Sequence, residues 1–520
     1  MLLKNVYKSI SQTSRLMYNY SVRKRRPFQS KLVHRNALLD ELEINKEKLP
    51  SEWKIIRQEF LNDNKITENS VDAVILGHCI SKNNYSLGSS YINFLNKENI
   101  KFTLAASGKY FKLLYFINKE DRFVSGNSIK KDQEQFILKK FGEIRQQHKI
   151  LDSITLEGSI GALSLTHEWK KCLDLLNEIK VTTTPNGNAY SNIVSAAFLN
   201  NEESLGWSLL QEMILYNRNI DEIVYFAYIN YLKKLKTGKN RISQLEKLFV
   251  FLEENDIVLN SSGVPLKIAE LGKELDLETM STRVTNKGMC TGCNNYLKKF
   301  RLTDEEFAEL KNTLFKNVII GKDIFSKTDP KEVGRFKEFV DKQEEFDVVL
   351  DGLNVAYSAG TGHSTQVLSG LVASLVSHFV HQDKKVLVVG RYHMNQWHKE
   401  NWNYITQNST VFLTKNISQD DPYLLYCALN SGKDTIIVTR DLMRGHKFLL
   451  KDPKLRILFN KWLSQRQYQL MKVTGPGKPI FRYPPAFTLN AQKIGDNWHI
   501  PFKDMSEQIN WMCIKCQTLY

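Results

Sequence analysis

Four aspartates in the C-terminal half have the residue type and the positions that metal-assisted phosphoryl chemistry needs. Asp351 and Asp441 each follow a short apolar run, and Asp420 and Asp421 stand directly before Pro422. Carboxylates held close together raise one another's pKa unless a cation keeps them ionised. One or two Mg²⁺ or Mn²⁺ ions would do this, and such ions activate water for in-line displacement at phosphorus. A single aspartate at a strand end is more often a turn or cap residue, so the hypothesis depends on all four occurring together.

The elements that must position these aspartates are indicated by an alternation of strand and helix patterns from about residue 346 onward. Short apolar runs predict buried parallel strands at 346–350, 385–389, 410–414 and 434–439. Helical spacing fills the intervals, with one helix predicted from about Pro422 to Asn430. This alternation predicts a parallel sheet covered by helices on both faces. Reactive groups in such sheets gather outside the carboxyl ends of the strands, so we expect the aspartates to share one edge.

The chain is basic, and its charge is distributed unevenly. Residues 431–482 hold twelve Lys/Arg and three acids, a balance that suits contacts with RNA phosphates. Residues 1–50 hold eleven Lys/Arg and four acids, which contributes +7 of the formal net charge of +16. The Arg/Lys-rich, hydroxyl-bearing segment before Asp40 is typical of a mitochondrial transit peptide. A disordered basic arm on RNA, or a nuclear signal at residues 23–26, is the alternative.

Residues from about 55 to 275 predict one helix after another with a loose internal repeat. Leu175-Leu176-Asn177-Glu178 recurs 34 residues later as Leu209-Leu210-Gln211-Glu212, and a third similar segment begins at Leu248. A period in the mid-thirties indicates a solenoid of two-helix repeats. Pentatricopeptide arrays bind single-stranded RNA and tetratricopeptide arrays bind protein, and the repeat alone leaves both possibilities open. No apolar run approaches the ~18 residues of a membrane span, so we expect no membrane insertion.

The seven cysteines favour a metal site over a disulfide framework. Four of them form the pairs Cys290/Cys293 and Cys513/Cys516, and His499 precedes the second pair. Structural Zn²⁺ takes four nitrogen or sulfur ligands, and these two groups lie about 200 residues apart on either side of the predicted α/β segment. Cys513 and Cys516 compete for the last ligand position. The other cysteines lie in apolar helical contexts and are expected in the core: Cys79, Cys172 and Cys427.

Three segments, at residues 346–356, 418–426 and 438–447, resemble the signature segments of the protein-only ribonuclease P family, above all its animal mitochondrial branch. The resemblance implies a catalytic set that binds two Mg²⁺ (or Mn²⁺) ions: Asp351, Asp420, Asp421 and Asp441. It also implies one structural Zn²⁺ held by Cys290, Cys293, His499 and Cys513.

Further residues of the same segments are candidates for supporting roles: Asn354, Arg444 and His446. Asn354 would orient Asp351 or a water, and His446 would assist proton transfer, although a backbone cap and a surface histidine are equally ordinary roles. Gly445 departs from the family pattern, which usually has Asp at that position. Because this position is not one of the four metal ligands, the departure affects only the support that a neighbouring side chain would give to those ligands.

The resemblance implies a multidomain α plus α/β protein. The expected parts are a transit peptide or disordered basic arm (1–45), a pentatricopeptide-like helical RNA-binding domain (46–278), a central zinc-binding domain (279–344 plus 484–520) and an NYN/PIN-like metallonuclease domain (345–483). The implied activity is removal of the 5′ leader from precursor tRNA in the mitochondrial matrix, with methyltransferase and short-chain dehydrogenase partner subunits. Two alternatives are an NYN/PIN-type endoribonuclease that acts on another RNA and a non-catalytic RNA-binding factor.

Overall fold

The computed structural model describes residues 50–62, 65–315, 330–360, 362–415, 421–441, 443, 450–475 and 477–516. The described residues form two compact units. The first extends to Trp207 and includes Phe226–Asn230, and the second comprises Ser208–Tyr225 and the residues from Tyr231 onward. The division into four domains stays a prediction. Within the described ranges, no helix has both the length and the apolar character that a membrane crossing requires.

The N-terminal half is helical, as the sequence predicts. Its helices are Pro50–Leu61 (α1), Val71–Ser81 (α2), Tyr85–Lys97 (α3), Leu104–Lys119 (α4), Lys131–Gln147 (α5), Ser153–Leu163 (α6), Lys171–Thr182 (α7), Gly187–Leu199 (α8), Glu203–Leu215 (α9), Ile223–Lys234 (α10), Gly238–Glu254 (α11) and Gly263–Glu274 (α12). Side-chain oxygens of Thr103, Asp152, Asn186 and Thr237 accept hydrogen bonds from the first turns of α4, α6, α8 and α11, which fixes where these helices begin.

The repeated segments fall on alternate helices, α7, α9 and α11. Each is followed by a second helix, so the two-helix repeat predicted from the sequence is present. In the first unit, α4 and α6 pack so closely that a Cβ added at Gly158 would lie 2.7 Å from the carbonyl oxygen of Gly108. Only glycine permits this approach. Cys79 and Cys172 are fully buried among these helices, as expected.

A four-stranded antiparallel sheet joins two distant parts of the second unit. Its strands are Glu278–Thr282 (β1), Gln492–Ile494 (β8), Asn497–Lys503 (β9) and Ile509–Lys515 (β10), in the order β1-β10-β9-β8. The segment after β1 folds back through bridges between Val284 and Cys290 and between Met289 and Tyr296. Residues near 290 and residues near 500 are therefore held together by backbone pairing.

The second sheet has six strands in the order β4-β3-β2-β5-β6-β7. They are Val348–Asp351 (β2), Val386–Arg391 (β3), Thr410–Thr414 (β4), Ile436–Val438 (β5), Gln467–Val473 (β6) and Pro479–Arg482 (β7). All neighbouring pairs are parallel except β6 and β7. The four strands predicted from the sequence are confirmed with shifts of a few residues at their ends, whereas β6 and β7 were not predicted.

Helices cover both faces of this sheet, because alternate strand residues are apolar toward each side. They are Asp304–Leu314 (α13), Pro330–Asp341 (α14), Gly352–Ala356 (α15), Thr365–Val380 (α16), Lys399–Asn408 (α17), Asp421–Ser431 (α18) and Pro453–Arg466 (α19). Val349 belongs to one core cluster, and Val348 and Leu350 belong to the other. From β2 the chain proceeds to β3 and β4 on one side and then crosses to β5 on the other. The carboxyl ends of β2 and β5 consequently border the crevice where ligands bind in open α/β sheets.

Candidate active site and metal centre

Asp351 lies where β2 ends and α15 begins. Its Oδ1 accepts a hydrogen bond of 3.0 Å from the backbone N–H of Asn354, and its Oδ2 accepts one of 2.9 Å from the hydroxyl of Thr439. The residue is only 8% exposed. The following Gly352 has no room for a side chain, since an added Cβ would lie 3.0 Å from the carbonyl oxygen of Val389. The carboxylate is therefore held in a fixed orientation at the carboxyl edge of the sheet.

Asp441 follows β5, the strand beside β2, and its side chain is exposed. Its Oδ1 accepts a hydrogen bond of 2.7 Å from the N–H of Met443, and its own N–H donates to Oγ1 of Thr439 at 3.1 Å. The Thr439 hydroxyl thus donates to the carboxylate of Asp351 and accepts from the backbone of Asp441. Two of the aspartates that the sequence singles out are thereby connected through one buried hydroxyl, by the carboxylate of Asp351 and the backbone of Asp441.

Asn354 connects the same two strand ends in a different way. Its side-chain oxygen accepts a 2.8 Å hydrogen bond from the N–H of Arg440, while its backbone N–H donates to the carboxylate of Asp351, the N-cap of α15. Nη1 of Arg440 in turn donates to the carbonyl oxygen of Ser358 at 3.2 Å. The backbone of Asn354, rather than its amide, orients Asp351, and the amide fastens the segment that carries Asp441.

Two residues of this arrangement were missed by the sequence reasoning. Thr439 stands two residues before Asp441, and this proximity was a usable signal. Gln467 begins β6, and its Nε2 donates to the carbonyl oxygens of Thr439 and Asp441 at 2.9 and 2.8 Å. Nothing in the local sequence marks Gln467, because its partners lie 26 and 28 residues earlier.

Asp420, Arg444, Gly445 and His446 lie outside the described residues. The backbone of Asp421 begins α18, a helix whose Tyr423, Leu424 and Leu425 pack in the same core cluster as Val349 of β2. The carboxylate oxygens of Asp351 and Asp441 are the donors that Mg²⁺ and Mn²⁺ prefer, so the described part of the site fits such an ion. The assignment of all four aspartates as metal ligands stays a prediction.

A second cluster has the ligand types of a zinc site. The donor atoms of Cys290, Cys293, His499 and Cys513 all lie within 4.8 Å of one another. Nε2 of His499 is 3.2 Å from Sγ of Cys293 and 3.8 Å from Sγ of Cys513. Tetrahedral zinc, with its usual Zn–S and Zn–N bonds, places sulfur and nitrogen about 3.6 Å apart. The cluster therefore fits a zinc ion in both donor chemistry and spacing.

The local fold explains why these four residues meet. His499 and Cys513 are direct partners in the antiparallel pairing of β9 with β10. Cys290 and Cys293 lie on the turn after β1, where a Cβ added at Gly292 would lie 3.2 Å from Oγ1 of Thr282. Cys516 follows the end of β10, and its N–H donates to the carbonyl oxygen of Asp496. Cys516 is not part of the cluster, so the geometry favours Cys513 for the last position.

The electrostatics of the cluster also favour a cation. Burial raises the pKa of Cys290, but hydrogen bonds from the backbone of Cys293 and Gly292 outweigh burial and hold the pKa below its ordinary value. Burial, followed by the charges of the other two cysteines, raises the pKa of Cys513. Burial lowers the pKa of His499, which keeps the imidazole neutral and able to act as a ligand. Buried thiolates that repel one another are stabilised by a bound cation, and binding it requires their deprotonation.

The chain is similar to known proteins in both sequence and fold. A family model described as protein-only RNase P matches residues 284–513. The mitochondrial ribonuclease P catalytic subunits of Mus musculus and Rattus norvegicus are each 30% identical over 390 residues. These matches cover 72% of this chain and 66% and 65% of the relatives, just under two thirds of their length. The crystal structure of nuclear proteinaceous RNase P 2 from A. thaliana superimposes on this chain with a TM-score of 0.52 at 16% sequence identity. The superposition covers 87% of this chain and 100% of that chain, so the two proteins share a fold.

Proposed function

Because the chain belongs to the protein-only ribonuclease P family, we propose that it is a metal-dependent endoribonuclease that removes the 5′ leader from precursor tRNA. The observation that carries this proposal is the Thr439 hydroxyl at the crevice between β2 and β5, which donates to the carboxylate of Asp351 and accepts from the backbone N–H of Asp441.

In the proposed mechanism, Asp351 and Asp441, together with Asp420 and Asp421, would hold one or two Mg²⁺ or Mn²⁺ ions. When bound, these ions supply activation of water and stabilisation of charge at the phosphorus. Thr439 and the N–H of Asn354 keep Asp351 oriented before substrate arrives, so little reorganisation is needed during the reaction. The phosphate would remain on the tRNA as a 5′-phosphate, and the leader would end in a 3′-hydroxyl.

The remaining parts of the molecule have supporting roles in this proposal. The helical repeats would grip the folded tRNA, and the basic segment 431–482 would contact the RNA backbone. One Zn²⁺ at Cys290, Cys293, His499 and Cys513 would be structural, because four protein ligands leave no position for water. The names of the mitochondrial relatives support a mitochondrial location. The matrix as the compartment and the methyltransferase and short-chain dehydrogenase partner subunits are further parts of the proposal, which the resemblance of the signature segments implies.

The test is cleavage of precursor tRNA by the purified chain with Mg²⁺, in the presence and absence of the partner pair. Asp441→Asn keeps the Oδ1 that accepts a hydrogen bond from Met443 but removes the negative charge. It should lower the single-turnover cleavage rate by at least about 100-fold, because the loss of one strong electrostatic contact to the transition state has an effect of this size. The matched control is Asp434→Asn, before the amino end of β5. Its carboxylate is exposed and paired only at the surface with Arg466, so cleavage should be unchanged.

The outcomes separate the alternatives. Near-normal cleavage by Asp441→Asn at saturating Mg²⁺ would remove Asp441 from the metal site. Cleavage of unstructured RNA without cleavage of precursor tRNA would indicate an NYN/PIN-type nuclease with another substrate. Binding of precursor tRNA without cleavage, even with both partners, would indicate a non-catalytic factor.

A further inference from the structure

Gln467 contributes a buried carboxamide to the carboxyl edge of the parallel sheet. It is 8% exposed, and its Nε2 makes two hydrogen bonds, 2.9 Å to the carbonyl oxygen of Thr439 and 2.8 Å to that of Asp441. A carboxamide nitrogen has two N–H donors at a fixed angle. Both donors are therefore used on the two residues that flank Arg440, and the side chain holds this short segment at two points.

These bonds lie where the backbone pairing of the sheet stops. The pairing of β5 with β6 comprises Ile437 with Gln467 and Val438 with Tyr468, and β5 ends at Val438. The next residues leave the sheet, yet Thr439 is buried, with 1% of its surface exposed. Buried carbonyl groups require hydrogen-bond donors. The Gln467 side chain supplies them after the strand ladder has ended.

The segment held in this way carries the contacts that define the candidate active site. Thr439 donates to Asp351, and Asp441 donates its N–H back to Thr439. A displacement of residues 439–441 would change the relative positions of the carboxylates of Asp351 and Asp441. Metal and catalytic sites need their ligands held within about 0.5 Å of the productive arrangement. The placement of Asp441 relative to Asp351 consequently depends on a side chain from a third strand.

We propose that Gln467 is a positioning residue of the metal site, which sets the relative positions of the carboxylates of Asp351 and Asp441 through the backbone of residues 439–441. This proposal rests on the proposed metal-dependent nuclease function. The two N–H donors of Gln467 are both used on backbone carbonyl groups, so the role proposed for this side chain is to hold the backbone of residues 439–441 rather than to bind the ion. Residues that orient metal ligands from outside typically change metal affinity by about 10–100-fold when they are replaced.

The experiment compares Gln467→Met with Gln465→Met in the full chain. Methionine keeps the length and volume of glutamine but removes its donors. Gln465 is a suitable control because it lies two residues away and its Nε2 also donates to backbone carbonyl oxygens, at 3.3 Å to Pro485 and 3.5 Å to Phe487. These hydrogen bonds do not involve residues 439–441. Mn²⁺ binding is measured by electron paramagnetic resonance, and single-turnover cleavage of precursor tRNA is measured across a range of Mg²⁺ concentrations.

We expect Gln467→Met to weaken Mn²⁺ binding by about 10–100-fold and to raise the half-saturating Mg²⁺ concentration by a similar factor, with cleavage partly recovered at high Mg²⁺. Gln465→Met should match the wild type in both measurements. If Gln467→Met does not fold, Gln467→Asn retains the amide on a shorter side chain that cannot reach both carbonyl groups, and the same weakening is expected.

Wild-type Mn²⁺ affinity and Mg²⁺ dependence in a folded Gln467 variant would overturn this inference. So would an equal weakening in the Gln465 variant, because the effect would then not be specific to residues 439–441. Failure of the wild-type chain itself to bind Mn²⁺ or to cleave precursor tRNA, with both partners present, would instead refute the proposed function.

Discussion

Replacement of Cys513 by alanine should release zinc and destabilise the second unit, whereas the same change at Cys516 should leave zinc bound and have only a small effect on stability. Both thiols are 5% exposed, so the two variants remove the same group from equally buried positions. Only Cys513 lies in the four-residue cluster, with its Sγ 3.8 Å from Nε2 of His499. The pair of variants therefore isolates metal coordination from ordinary packing.

The expected magnitude follows from the cost of disturbing a zinc site. Changes outside the ligand set already cost about 10–100-fold in metal affinity, so loss of a ligand should exceed about 100-fold. With zinc in excess, this factor corresponds to more than about 2.7 kcal/mol of stability. At about 2 °C per kcal/mol for a unit of this size, the melting temperature of Cys513→Ala should fall by at least about 5 °C. Cys516→Ala should lose about 1 kcal/mol, or roughly 2 °C, from packing alone.

Two measurements on the purified full chain check this prediction: zinc content by elemental analysis and thermal unfolding. We expect about one zinc per chain in the wild type and in Cys516→Ala, and loss of zinc in Cys513→Ala. Zinc retained in Cys513→Ala but lost in Cys516→Ala would refute the assignment of the last ligand. A zinc-free wild type that melts at the same temperature as the loaded protein would refute the structural role of the ion.

Three further predictions concern the nuclease site and its partners. Thr439→Val should slow cleavage by about 10–100-fold, because a hydrogen bond to a carboxylate contributes about 1.5–3 kcal/mol. Thr439→Ser keeps the hydroxyl and should cleave at close to the wild-type rate. Equal single-turnover rates for the two variants would argue against a role for the hydrogen bond from Thr439 to Asp351. Mass spectrometry of both fragments should find a 5′-phosphate on the tRNA and no 2′,3′-cyclic phosphate on the leader, and a cyclic phosphate would exclude metal-assisted hydrolysis. The chain alone should cleave poorly, because residues 51–520 carry a net charge of only +9 and should bind RNA weakly, and cleavage should recover with the partner pair. The same rate with and without the partner pair would count against partner dependence.

Much of the parallel sheet could be predicted because its signals are local. Val348–Asp351 and Thr410–Thr414 are short apolar runs with a helical pattern on either side, and each such run marks a buried strand by itself. The rule that reactive groups lie at carboxyl strand ends then selects Asp351 and Asp441 without knowledge of the strand order. The two-residue spacing of Cys290 and Cys293 is a local signal of the same kind.

The strands β6 and β7 could not be predicted in the same way. β6 lacks the alternation of buried and exposed residues that marks a strand, since its buried residues Gln467 and Leu470 are three positions apart, and its pairing with β7 shifts register between Leu470 and Lys472. β7 is the last strand of the sheet, and β6 pairs with β5 through only two residue pairs. Their partners are set by tertiary contacts rather than by their own composition.

The sequence by itself determined which residue types were available and near which strand ends they would lie, because strand and helix periodicity follow from side-chain hydrophobicity within a few residues. Only the tertiary structure decided which residues complete each site. Cys513 rather than Cys516 faces His499 because the register of β9 against β10 places it there, and a shift of one residue would turn the side chain to the opposite face. Gln467 reaches the backbone of Asp441 because β6 lies beside β5, and this contact between residues 26 apart exists only once the strands have paired.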